Sequence, residues 1–178
     1  MSANPSHTSG RAAEFRLAFD RAFAEPIRTD IAVKADLLAI RVGGQACAIR
    51  LSEITGLFAD KKVTHVPGSA AALRGIAGFR GVILPVYDLA ILLGYAASQA
   101  PRWLVVAKAA PIALAFETFE CQLRVAREEI LPQASRPDTQ SHAREFVRTP
   151  HFAGSILHLP SILDAIKTSR VGSTPKEE

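Results

Sequence analysis

The sequence predicts a mainly β chain whose body is built as two small barrels. Three observations lead there: short apolar runs separated by Gly and Pro turns, only brief helical patterns, and a second half that repeats the first in worn form. The first hairpin spans residues 37–42 and 46–51 around Gly43-Gly44, and a Gly-Gly pair between apolar runs is a hairpin signal. Residues 52–58 continue as strand or turn, and 60–62 bend the chain into Val63. After Pro101, residues 103–107 and 113–119 repeat that hairpin, with Ala48 falling on Ala113 and Ile54 on Phe119, an offset of 65 (48 to 113, 54 to 119). Further on, Ile83-Leu84 falls on Ile156-Leu157, an offset of 73 (83 to 156), and each pair is followed by a strand end and an amphipathic helix. The polar loop 132–141 is expected to absorb the change of offset.

Residues 63–95 organise the rest. Gly75, Gly78 and Gly81 recur every third residue, which predicts tight turns or bulges where the backbone needs positive φ or close approach. The run 82–86 then reads as a buried strand, and Asp88 as the cap of a short helix that ends at Gly94. Between the glycines, Phe79 and Arg80 place a large ring and a permanent cation at a turn with no obvious core to enter. Two readings stay open. Either this pair is a partner-binding corner, since aromatic residues and Arg are enriched at interface hot spots, or Phe79 plugs a barrel end while Arg80 pairs with Asp88.

The ends of the chain differ from its middle. Residues 1–10 are polar and expected to be disordered. Residues 11–25 form a helical pattern with Phe15, Phe19 and Phe23 on one stripe, stopped by Pro26. A lone helix of that length is marginal in water, so it is expected to dock, either on the chain's own body or on a partner or second copy. Residues 26–34 are a connector, 35–167 the domain, and 168–178 a polar tail. The domain divides into sub-barrels at about 35–95 and 101–167, with exchange of strands between them left open.

Composition excludes several function classes. With 48% hydrophobic and 21% charged residues the chain reads as globular, and it has neither an apolar run near ~18 residues nor a signal-peptide pattern, which points to the cytoplasm. Cys47 and Cys121 lie in apolar runs and read as buried free thiols. The net charge of +4 is scattered, with Lys61-Lys62 the one basic pair, so a small-barrel nucleic-acid binder is a minor alternative. His7, His65, His142, His151 and His158 form no metal-ligand spacing. The glycine run lacks the Lys-Ser/Thr ending of a phosphate loop, Glu128-Glu129 read as a solvated corner, and no nucleophile motif occurs. No enzyme, cofactor or metal is expected.

The elements Val66-Pro67-Gly68, Gly75, Gly78-Phe79-Arg80-Gly81, Leu84-Pro85-Val86 and Asp88-Leu89 occur in the order and spacing of a known pattern. In that stretch the chain resembles the CheW family of chemotaxis coupling proteins. It departs from the pattern at Gly78, where Asn is usual, and at Gly56, near an often acidic position. The resemblance implies two five-stranded barrels related by a pseudo-twofold, with a hydrophobic core between them. It also implies a non-enzymatic adaptor that couples the cytoplasmic tip of methyl-accepting chemoreceptors to the regulatory domain of a CheA-type histidine kinase, or a divergent adaptor of a non-flagellar pathway. The expected partner-binding residues are Ile54, Val63, Val66, Gly75, Ile76, Phe79, Arg80 and Gly81. Self-association through the N-terminal helix is a further expectation.

Overall fold

A computed structural model describes residues 34–67, 70–132 and 142–171. The N-terminal leader, the helix carrying Phe15, Phe19 and Phe23, most of the loop 132–141 and the end of the tail lie outside the described residues.

Among the described residues eleven strands form two sheets. One has six strands in the order β8-β1-β2-β11-β10-β9: β8 is Thr118–Ala126, β1 Lys34–Val42, β2 Gln45–Arg50, β11 Ala153–Leu157, β10 Ala143–Arg148 and β9 Ile130–Pro132. The other has five in the order β3-β6-β7-β5-β4: β3 is Ile54–Ala59, β6 Trp103–Ala107, β7 Ala113–Phe116, β5 Val82–Asp88 and β4 Leu73–Phe79. Helix α1 (Leu89–Leu92) follows β5, and α2 (Leu159–Val171) follows β11. The expected five strands therefore hold for one sheet, while the short β9 adds a sixth to the other. Strands from before and after Pro101 enter both sheets. Among the described residues no ladder joins the two edges of either sheet. Before β4, an isolated antiparallel bridge joins Thr64 to Ile76.

Strand register makes the internal duplication explicit. Ile54 and Gly56 pair with Ala107 and Val106, skipping Thr55, just as Phe119 and Cys121 pair with Ile40 and Ala39, skipping Glu120. The same bulge thus recurs at the predicted offset of 65. In the second pair of hairpins, Leu73 and Gly75 face Tyr87 and Val86, skipping Arg74, and Ala143 and Glu145 face Leu157 and Ile156, skipping Arg144. That offset is 70 (74 to 144, 86 to 156), which corrects the 73 read from side-chain likeness alone. Val86 and Tyr87, not Ile83 and Leu84, are the counterparts of Ile156 and Leu157. Both copies also make one parallel pairing, β5 with β7 and β11 with β2.

The apolar runs are continuous because both faces of the central strands are buried. Along β1, Leu38, Ile40 and Val42 enter a large cluster with Tyr87, Leu89, Val105, Leu114, Phe116, Leu157 and the α2 residues Leu159, Ile162 and Ile166. Leu37 and Ala39 point the other way, into a smaller cluster with Ala48, Val125, Val147 and Ile156. The five-stranded sheet has a small core of its own in Ala77, Phe79, Leu84, Val86, Leu104 and Val106. Cys47 is buried as expected, whereas Cys121 is exposed, because β8 is a sheet edge.

Candidate functional site

The β4–β5 hairpin is closed by Arg80 and Gly81, with Phe79 paired to Val82. Both turn residues have positive φ, +49° and +85°, the primed two-residue turn that matches strand twist. Arg80 is strained in that conformation, which Asn or Gly adopts readily. The base of the hairpin is fixed by Gly75, whose φ is +147° and where a Cβ would lie 2.0 Å from the Thr64 carbonyl oxygen. That approach lets Thr64 and Ile76 exchange backbone hydrogen bonds of 2.8 and 2.9 Å.

A second restraint comes from Arg74, the bulged residue. Its Nη1 donates to Asp88 Oδ2 and to the Ser98 carbonyl, both at 2.8 Å. Asp88 is fully buried, and its Oδ1 accepts from the Ala90 amide at 2.9 Å, capping α1 as the sequence predicts. The internal partner of Asp88 is thus Arg74 and not Arg80. Sequence reasoning missed Arg74; its signal was a lone cation in the apolar strand β4, whose hairpin partner β5 ends in an unpaired-looking Asp.

The sequence-predicted residues separate by depth. Phe79 is 4% exposed and packs edge-on against Phe58, with ring centroids 5.0 Å apart. Phe79, read as a ring with no obvious core to enter, fills the small core of its own sheet. Ile54, Val63 and Val66 are half-buried, with Ile54 packed on the large cluster and Val63 on the small one. Gly75 is buried, while Ile76, Arg80 and Gly81 reach the surface. The run 82–86, read as wholly buried, is buried only from Leu84 onward. Val82 is 57% exposed and Ile83 70%, because the hairpin tip projects past the sheet; Ile83, opposite Gly78, shares the outer face with Ile76 at 36%, whereas Val82, opposite Phe79, is exposed at the tip on the other face.

Two cations lie on the Phe58–Phe79 side of the hairpin. Lys61 Nζ lies 5.6 Å from the Phe58 ring centroid and 5.9 Å from that of Phe79, and Arg80 Cζ lies 6.0 Å from Phe58. Neither takes part in an ion pair among the described residues. Their charges rest on ring faces and stay available to an outside carboxylate. Gly78, opposite Ile83, is open, with nothing within 4 Å of where a Cβ would stand. Among the described residues no cluster of His, Cys, Asp or Glu could hold a metal, and no helix is long and apolar enough to cross a membrane.

A family model of the CheW-like domain matches residues 36–167. The chain belongs to the CheW-like domain family. A protein named probable chemotaxis protein CheW, from Rhizobium etli, is 32% identical over 59 residues, a match that spans 33% of this chain and 38% of that protein. Among solved structures, the scaffolding protein TtCheW from Thermoanaerobacter tengcongensis has the same fold, with a TM-score of 0.60 and 14% identity, covering 69% of this chain and 88% of that one. The chain thus carries a CheW-like domain and shares its fold with that scaffolding protein.

Proposed function

We propose that this CheW-like chain is a cytoplasmic adaptor that couples methyl-accepting chemoreceptors to the regulatory domain of a CheA-type histidine kinase. The observation that carries the reading is the exposed hairpin: Ile76 and Ile83 on its outer face, Val82 at its tip, and Lys61 and Arg80 on its Phe58–Phe79 side, with no ion pair to either cation among the described residues. Apolar surface with cations nearby suits a partner with aliphatic side chains and an acidic edge. Gly75, Gly81 and the Arg74–Asp88 pair keep the hairpin in one conformation, so little ordering accompanies binding. Val63 packs on the small core that the hairpin covers. A rigid body holding two partners transmits a shift in one as a bias on the other, without chemistry of its own.

Charge reversal at Arg80 tests the assignment. Arg80 is exposed, so Arg80→Glu is expected to leave folding intact and to weaken co-purification with a receptor tip and kinase regulatory domain. Undiminished capture of both partners by the folded variant contradicts the site.

A further inference from the structure

The internal duplication lets one half of the molecule interpret the other. At the offset of 70, Arg74 corresponds to Arg144 and Asp88 to His158, and both arginines are the bulged residue of their strand. The backbone frames agree as well. Asp88 N donates to the Ala72 carbonyl at 2.7 Å, and His158 N donates to the His142 carbonyl at 2.8 Å, again 70 positions on (72 to 142). Helices begin at the next residue in both copies, Leu89 and Leu159.

In the first copy the Asp88 carboxylate has two tasks: one oxygen caps the helix and the other binds the guanidinium of Arg74. In the second copy only the capping task is filled. The Leu159 amide donates to Glu53 Oε2 at 3.0 Å, and the Ser161 amide donates to His158 Nδ1 at 3.3 Å. The guanidinium of Arg144 has no ion pair or hydrogen bond among the described residues. It lines a cleft of about 360 Å³ together with Arg50, Glu53, Glu145 and His158. Arg50 is already tied to Glu145, which leaves Arg144 the cation without an answer in that cleft.

We propose that this cleft is a carboxylate-binding site, in which a ligand's carboxylate takes the place beside Arg144 that Asp88 takes beside Arg74. A guanidinium offers fixed N–H donors to a carboxylate. Because Nδ1 of His158 accepts from Ser161, its proton resides on Nε2, which is a second donor. The carboxylate comes either from a free small acid or from an acidic side chain of a protein.

The test is a nuclear magnetic resonance titration of the full chain, following Arg144 Nε and the His158 ring. One arm adds glutarate, the other a capped Ala-Glu-Ala peptide, with chloride at matched ionic strength as control. Saturable shifts with glutarate alone assign the site to free acids; saturation with the peptide assigns it to acidic side chains. In either case Arg144→Gln weakens binding about tenfold or more, and His158→Asp abolishes it, because that variant supplies the carboxylate from within. Shifts that track chloride in both arms, or an affinity unchanged in both variants, overturn the proposal.

Discussion

Ile83 and Phe79 are close in the same hairpin, yet they should fail in opposite ways. Ile83 is 70% exposed, so Ile83→Ser removes little that the fold uses and is expected to change stability by no more than about 0.5 kcal/mol. If a partner covers the hairpin face, it buries most of a side chain worth about 1.5–3 kcal/mol when fully enclosed. About two thirds of that is roughly 1–2 kcal/mol, or a loss of about 5–30-fold in affinity. Phe79, at 4% exposure, sits among Ala77, Leu84, Leu104 and Val106, and Phe79→Ala is expected to cost about 3–5 kcal/mol of folding stability. For a chain of this size that lowers the melting temperature by roughly 6–20 °C. Thermal melting by circular dichroism, paired with calorimetric titration against the kinase regulatory domain, separates the two. The reasoning is refuted if Ile83→Ser binds as tightly as the parent, or if Phe79→Ala melts with it.

Other consequences follow from buried groups. Asp88→Ala removes a helix cap, worth about 1 kcal/mol, and strands the half-buried Arg74. A combined loss of about 2–4 kcal/mol is expected in urea unfolding, and a loss below ~1 kcal/mol would show that the network does not hold the hairpin. Burial pushes the Cys47 thiol up to about 11, so at pH 7.5 iodoacetamide should modify the exposed Cys121 first and reach Cys47 only after denaturation; mass spectrometry of the peptides decides. Burial, and after it the neighbouring His158, holds His142 below its ordinary value of 6.5. The unfolded chain then takes up that proton more readily, so stability is full above 6.5 and declines as pH falls from there through the lower folded value. The urea midpoint should drop between about pH 7.5 and 5.5, and His142→Gln should flatten that drop; an unchanged slope in the variant assigns it to other groups.

What the sequence disclosed was local. The Gly43-Gly44 turn and the cap at Asp88 each depend on residues a few positions apart and have the expected form, and the first repeat offset, read from side-chain likeness, holds in the register. What it concealed depended on which strand became an edge. Val82 and Ile83 look like any apolar strand, and their exposure follows only from a hairpin that outruns its neighbours. Phe79 looked homeless because its core comes from Leu104 and Val106, which enter the sheet from the other half of the chain. The second offset was misread for the same reason: Ile-Leu pairs are common, whereas the bulges at Arg74 and Arg144 that fix the true alignment appear only in the register. The correspondence of His158 with Asp88 was therefore invisible until the strands were paired.

The proposed contact surface is the exposed part of the β4–β5 hairpin, Ile76 and Ile83 on its outer face and Val82 at its tip. Labelling the Ile and Val methyl groups and adding saturating kinase regulatory domain examines that surface directly. The methyl signals of Ile76, Val82 and Ile83 should move while those of the buried Ile40 and Ile49 stay fixed. Binding with those three signals unmoved and shifts gathered elsewhere on the molecule would contradict it.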